Sequence, residues 1–192
     1  MSVSYETADK ALAARMGDKS LAHSRGVSQA AGQLALIYGV DTEEARLAGL
    51  LHDWDRELSH DELASRAAAA GLPTSAAEEA SPRLLHARTG AVALREAVPG
   101  LSSEVLTAIE RHTLGDPRMG PLDMVVYVAD MIEPGRHYQG VDDLREAAGT
   151  ISLEELFAEA YRHSVSHLIK ARKPIHPLTV EVWNTLVARR RP

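Results

Sequence analysis

Asp130 stands where a carboxylate is least welcome. It interrupts the run Met124, Val125, Val126, Val128, Ala129, Met131 and Ile132, apolar on nearly every side of a helix, where an uncompensated carboxylate costs several kcal/mol or stays protonated. A lone buried Asp is usually answered by an arginine or spent on a cap, so its chemistry depends on what else faces inward. His23, His52, His86 and His112 each fall on the apolar side of a different helical stretch. One such histidine is ordinarily a core residue; four of them with two acids are hard to explain as packing. Imidazole and carboxylate are donors for iron, manganese, cobalt or zinc, whereas magnesium prefers oxygen and water. The chain has no cysteine, so nitrogen and oxygen must hold any metal. His52 and Asp53 are neighbours, and successive helical residues point about 100° apart, so they would reach one ion from two sides or serve two ions. A carboxylate bridges two metals and an imidazole does not, which makes Asp53 the natural shared ligand.

The elements that must carry these residues are nearly all helices. Leu21, His23, Val27, Ala30, Ala31, Leu34 and Tyr38 repeat at helical spacing over 20–38, and Gly39 follows as a C-cap. Asp41 with Glu44 opens a helix expected to run through Leu47, Ala48, Leu50 and Leu51 into the His52-Asp53 pair, with Gly49 offering room for a neighbouring helix or a ligand. Ser59 with Glu62 starts an alanine-rich helix that stops at Gly71 and Pro73. Ser81 and Pro82 read as N-cap and first residue of the helix bearing His86. Ser102 caps the one bearing His112, a breaker-rich loop spans 115–120, and Pro121 opens the central apolar helix. A turn at 133–136 and amphipathic helices over 152–171 and 177–190 complete the chain. The run from Val125 to Val128 alone would pass for a strand, but no second run exists to pair with it. The fold class is therefore all-α, a single-domain helical bundle.

Bulk properties agree with one core. The chain has 192 residues, 45% of them apolar, 25% charged, with a net charge of -6. An acidic chain without a basic patch argues against nucleic acid as a partner, and no apolar stretch suits a membrane span or a signal peptide, so the expected location is cytoplasmic.

The segments from Leu47 to Asp53, Leu85 to Gly90, Ile109 to Thr113 and Val128 to Arg136, in that order, resemble the histidine-aspartate (HD) domain superfamily of metal-dependent phosphohydrolases, and within it the YqeK-type bacterial branch. The resemblance covers residues 18–170. It implies an HD-type helical bundle, with an N-terminal helical extension over 1–17 and a C-terminal helix over 171–192 packed on the same domain. It also implies His23, His52, Asp53, His86, His112 and Asp130 as ligands of two divalent or mixed-valence metal ions, iron first, with manganese, cobalt or zinc able to use the same donors. The implied reaction is hydrolysis of diadenosine tetraphosphate to two ADP by a metal-bridging hydroxide. A nucleotidase or pyrophosphohydrolase acting on other nucleotides, or a nucleotide-binding module without catalysis, are the alternatives. The branch commonly has lysine where this chain has Arg56. Relatives that degrade cyclic dinucleotides carry a second histidine beside the fourth and a Gly-Tyr-Pro signature. Here Arg111 and Thr113 flank His112 and that signature is missing, which disfavours such a substrate.

Phosphoryl chemistry needs cations beyond the metals. Arg136, six residues after Asp130, and Arg56, three after Asp53, are the candidates for catalysis, and Arg88, Thr113, Arg118 and Arg136 for substrate contact. Glu133 is placed to orient a ligand histidine or Arg136. His163 and His167 have ligand spacing on a helix but no acid between them, and read as a polar face; His60, His137 and His176 receive no role. Trp183 and Leu186 serve core packing, the reading preferred, or the interface of a homodimer.

Overall fold

The computed structural model describes residues 3–189, so residues 1–2 and 190–192, including the expected helix end at Arg190, lie outside it. The described residues contain helices and no strand. In chain order they are α1 (Tyr5–Ala13), α2 (Asp18–Tyr38), α3 (Thr42–Leu51), α4 (His60–Ala69), α5 (Ala76–Ala80), a 3₁₀ turn (Pro82–Leu85), α6 (His86–Ala97), α7 (Ser103–Arg111), α8 (Pro121–Ile132), α9 (Val141–Ala147), α10 (Leu153–Lys170) and α11 (Pro177–Arg189). None is long and apolar enough to cross a membrane.

Local chemistry sets most of the boundaries. Asp41 accepts from the Glu44 amide at 2.9 Å, Ser59 and Ser152 form reciprocal capping boxes with Glu62 and Glu155, and Ser102 caps α7. Gly39 ends α2 at φ 71°, a conformation that excludes most side chains. The helix α8 is the centre of the bundle, touching α2, α3, α7 and α10, and Val125, Val126, Val128 and Ala129 are fully buried. Each large aliphatic side chain so buried contributes about 1.5–3 kcal/mol. At Gly49 α3 packs directly on α2, since a Cβ there would lie 3.1 Å from backbone atoms of Ser28, so Gly49 serves helix contact. Trp183 and Leu186 pack against the same core.

Four local readings change. Ser81 caps nothing: its own amide closes α5 on the Ala77 carbonyl, so its backbone is committed to the preceding helix, and Pro82 opens a 3₁₀ turn. The helix bearing His86 therefore begins at His86. The helices α5 and α9 are absent from the expected elements, because five and seven residues are too few for apolar periodicity to register. Finally, α3 ends at Leu51, with His52 as its C-cap and Asp53 in a succession of tight turns in which the Trp54 and Arg56 amides donate to carbonyls three residues back.

Candidate metal centre

Three of the histidines occupy equivalent local positions. His52 and His112 are the residues just past α3 and α7, and His86 follows the 3₁₀ turn. At each place the carbonyl three residues back is exposed by the end of a helical turn, and the histidine ring takes it. His52 Nδ1 donates to the Gly49 carbonyl at 2.8 Å, His86 Nδ1 to that of Arg83 at 2.6 Å and His112 Nδ1 to that of Ile109 at 2.8 Å. A ring whose Nδ1 carries the proton presents Nε2 as a bare donor. His23, on α2, reaches the same orientation through a side chain: its Nδ1 lies 3.1 Å from Glu133 Oε1, 110 residues away. Glu133 is buried against Gly26, where a Cβ would lie 2.7 Å from the carboxylate.

The four Nε2 atoms converge on Asp53 and Asp130. Asp53 Oδ2 lies 3.4 Å from His52 and 3.9 Å from His23, while Asp53 Oδ1 lies 3.0 Å from His86 and 3.5 Å from His112. Asp130 Oδ1 lies 3.0 Å from His23 and 3.8 Å from His52. The two oxygens of Asp53 thus face two different pairs of histidines. His86 Nε2 and His112 Nε2 are only 3.1 Å apart, and the buried His52 Nε2 has no hydrogen-bond partner. Electron pairs gathered this closely repel unless a cation or protons lie among them. Bond lengths of about 2.1 Å would put neighbouring ligand atoms about 3.0–3.5 Å apart around one ion, so the spacing fits a bound metal. Among the described residues, the groups able to hold a metal are His23, His52 and Asp130, and His52, Asp53 and His112; His86 belongs to neither but lies against Asp53 and His112 of the second, and His163 and His167 belong to neither.

Charge agrees with geometry. Burial works against ionised Asp53, but the His52 charge and the close approach of the His112 and His86 rings outweigh it and hold the carboxyl well below the usual range. Burial likewise opposes ionised Asp130, and the His23 hydrogen bond with the charges of His52 and Arg136 overcomes it. Burial disfavours a protonated His52, yet Asp53 and Asp130 together push it up to about 9. Burial lowers His112.

The expected arginines separate into groups. Arg136 donates through Nε to the Asp130 carbonyl at 2.8 Å and pairs through Nη2 with the Asp130 carboxylate, supplying a cation to this acid, which the fold leaves half-buried rather than enclosed. Arg56 Nε is 3.9 Å from Asp53 Oδ2, with the side chain 42% exposed. Arg88, Thr113 and Arg118 line a cavity of about 340 Å³ together with the apolar Leu84, Ala87 and Leu178 and the acids Glu110 and Asp116. Thr113 Oγ1 joins that cavity to the cluster, lying 3.1 Å from His112 Nε2 and 3.3 Å from His86 Nε2. Arg88 already donates to Glu78 and to the Pro73 carbonyl, both at 2.9 Å, and so also anchors α5. The Arg118 side chain donates to Asp116 at 3.3 Å and is 83% exposed.

Two supports are missing from the sequence reading. Arg111 donates to Asp123 at 2.7 Å and to the Arg118 carbonyl at 3.1 Å, fastening the loop after His112 to the start of α8. Asp55, fully buried two residues after Asp53, is held by Arg66 at 2.8 Å and Arg15 at 3.2 Å, while Arg15 also stacks over Trp54. The doublet loop is thereby gripped from α4 and from the α1–α2 junction. No spacing rule finds these partners, because they come from separate elements.

A family model described as the HD domain matches residues 20–135. The symmetrical bis(5'-nucleosyl)-tetraphosphatase of Bacillus subtilis is 32% identical over 166 residues, which are 86% of this chain and 88% of that protein. The protein of the same name from Staphylococcus aureus is 30% identical over 183 residues, 95% of this chain and 94% of its own length. The crystal structure of a predicted HD superfamily hydrolase involved in NAD metabolism from Clostridium acetobutylicum superposes with a TM-score of 0.91 at 34% identity, covering 99% of this chain and 100% of the other.

Proposed function

The chain belongs to the HD domain family, and from that premise we propose that it is a metal-dependent hydrolase that splits diadenosine tetraphosphate symmetrically into two ADP. The observation that carries this reading is the division of Asp53, one oxygen toward His23 and His52 and the other toward His86 and His112, as a carboxylate shared by two ions requires. His23, His52 and Asp130 would hold one ion, His86 and His112 the other, and Asp53 both. Iron is the first choice, with manganese, cobalt and zinc compatible with the same donors. When bound, such a pair supplies a water acidified to near neutral pH and neutralises phosphate oxygens.

The protein's own groups do the rest. The i−3 carbonyls and Glu133 keep the proton on Nδ1, so Nε2 stays available through the cycle. Arg136, paired with Asp130 yet 40% exposed, offers its remaining N–H groups to the phosphate chain, and Arg56 does so from the other side of Asp53. The cavity beside Thr113 receives one nucleoside, with the base against Leu84, Ala87 and Leu178 and the phosphates toward Arg88 and Arg118. Water adds to one of the two central phosphorus atoms, the bond to the oxygen joining them breaks, and each half leaves as ADP. Residues 18–170 form the catalytic domain in this proposal, with 1–17 and 171–192 as additions to it.

Other nucleotides would use the same donors, but the named relatives cover most of this chain and favour the dinucleoside polyphosphate. The test is to load the protein with iron or manganese and separate the products from a panel of dinucleoside polyphosphates, mononucleotides and cyclic dinucleotides. ADP as sole product from diadenosine tetraphosphate is expected. AMP plus ATP would refute symmetrical cleavage, and nucleotide binding without turnover would favour a non-catalytic module.

A further inference from the structure

The C-terminal end of α8 sits beside the centre, and its last carbonyls have no partner within the helix. Side chains from the following segment take them one by one. Arg136 Nε donates to the Asp130 carbonyl at 2.8 Å and Tyr138 Oη to that of Met131 at 3.0 Å. Arg145, on α9, takes the next two: Nε donates to the Ile132 carbonyl at 3.0 Å and Nη2 to the Glu133 carbonyl at 2.8 Å. The same Nη2 donates to the Arg136 carbonyl at 2.9 Å. One guanidinium therefore fastens both ends of the turn 133–136 to the end of α8, and a cation there also meets the negative end of the helix dipole.

That turn carries two side chains on which half of the centre depends. Glu133 holds the His23 ring at 3.1 Å, and Arg136 pairs with Asp130. His86 and His112 lean on carbonyls of their own turns and owe nothing to residues 133–136. We infer that Arg145 is a positioning residue for the His23–Asp130 half of the metal centre, acting through the turn 133–136 that it fastens to α8. The inference rests on the reading of the cluster as a metal centre. Lysine would not replace it, because a single ammonium lacks the planar fork that spans three carbonyls.

The test is substrate-free. Long-range ¹H–¹⁵N spectra of the metal-free full chain are compared for the parent, Arg145→Ala, Arg145→Lys and Asp142→Asn, the last removing only the partner of Arg145 that is 80% exposed. In Arg145→Ala the His23 Nδ1 resonance is expected to move toward that of a ring exchanging tautomers while His86 and His112 stay in place. Mn²⁺ affinity measured by electron paramagnetic resonance should fall by roughly 10-fold, in the range for loss of groups that orient ligands. Arg145→Lys should give a smaller change in the same direction and Asp142→Asn none. If Arg145→Ala loses its helical circular dichroism, Arg145→Lys is judged by the same criteria. An unmoved His23, or His86 and His112 shifting equally with it, would overturn the inference. Since no nucleotide is used, the inference can fail while diadenosine tetraphosphate is still hydrolysed, and can hold if it is not.

Discussion

The two sides of Asp53 are built differently. On one side, His86 and His112 are oriented by carbonyls three residues before them, so each ring is set by the end of its own turn. On the other, His23 and Asp130 are oriented by Glu133 and Arg136, which are themselves placed by a turn fastened from α9. The first side has supports that side-chain substitution cannot remove, since the acceptors are backbone. The second has such backbone supports at His52 and, through the Gly135 amide, at Glu133, but His23 and Asp130 themselves depend on side-chain contacts, each a point at which that side can be loosened.

That contrast can be broken most completely at the residue common to both sides. Replacing Asp53 with Ala should remove one ligand from each side and lower kcat/KM by about 10³-fold or more, with metal content by elemental analysis falling in parallel; an active, metal-replete variant would refute the shared role. Arg136→Ala comes next. It strips the half-buried Asp130 of its guanidinium, and kcat should drop about 10²–10³-fold with a smaller change in metal content, as steady-state kinetics would show. Glu133→Gln should cost about 10–100-fold in affinity at the His23 side alone, read by Mn²⁺ titration, because the other three histidines do not use that carboxylate.

A smaller effect concerns pH. His52 in the metal-free protein is raised above its ordinary value to about 9, so the stability it contributes is fully present below pH about 6.5 and is lost as pH rises through about 9. Urea unfolding of the metal-free protein should accordingly show a lower midpoint at pH 9 than at pH 6.5, and a midpoint that rises over that range would contradict the charge balance described here. The least is expected of Arg118→Ala. Its side chain is 83% exposed, and KM for the dinucleotide should rise only about two- to five-fold with kcat unchanged.

Much of this was legible because it depends on local spacing. Asp130 declared itself by its apolar neighbours, and the caps at Asp41, Ser59 and Ser102 follow from side chains three residues from the amides they accept. Ser81 shows where such reasoning stops. The same Ser-Pro pair would start a helix in isolation, but here the serine amide already closes α5, a helix too short to leave a periodic trace. Asp55 shows the other limit: its partners Arg15 and Arg66 are 40 and 11 residues away, and nothing in their spacing marks them as a clamp on the His52-Asp53 loop.

The sequence alone determined that the fold is helical, that one acid lies in its most apolar helix and that four histidines face inward, because helical periodicity and capping act over a few residues. Only the tertiary structure decided which oxygen of Asp53 meets which histidine, that Arg136 closes on Asp130, and that Arg145 holds the turn between them. Those are contacts between separate helices, and their distances depend on how the helices cross, which Gly49 and the buried face of α8 set through packing rather than through any short-range pattern.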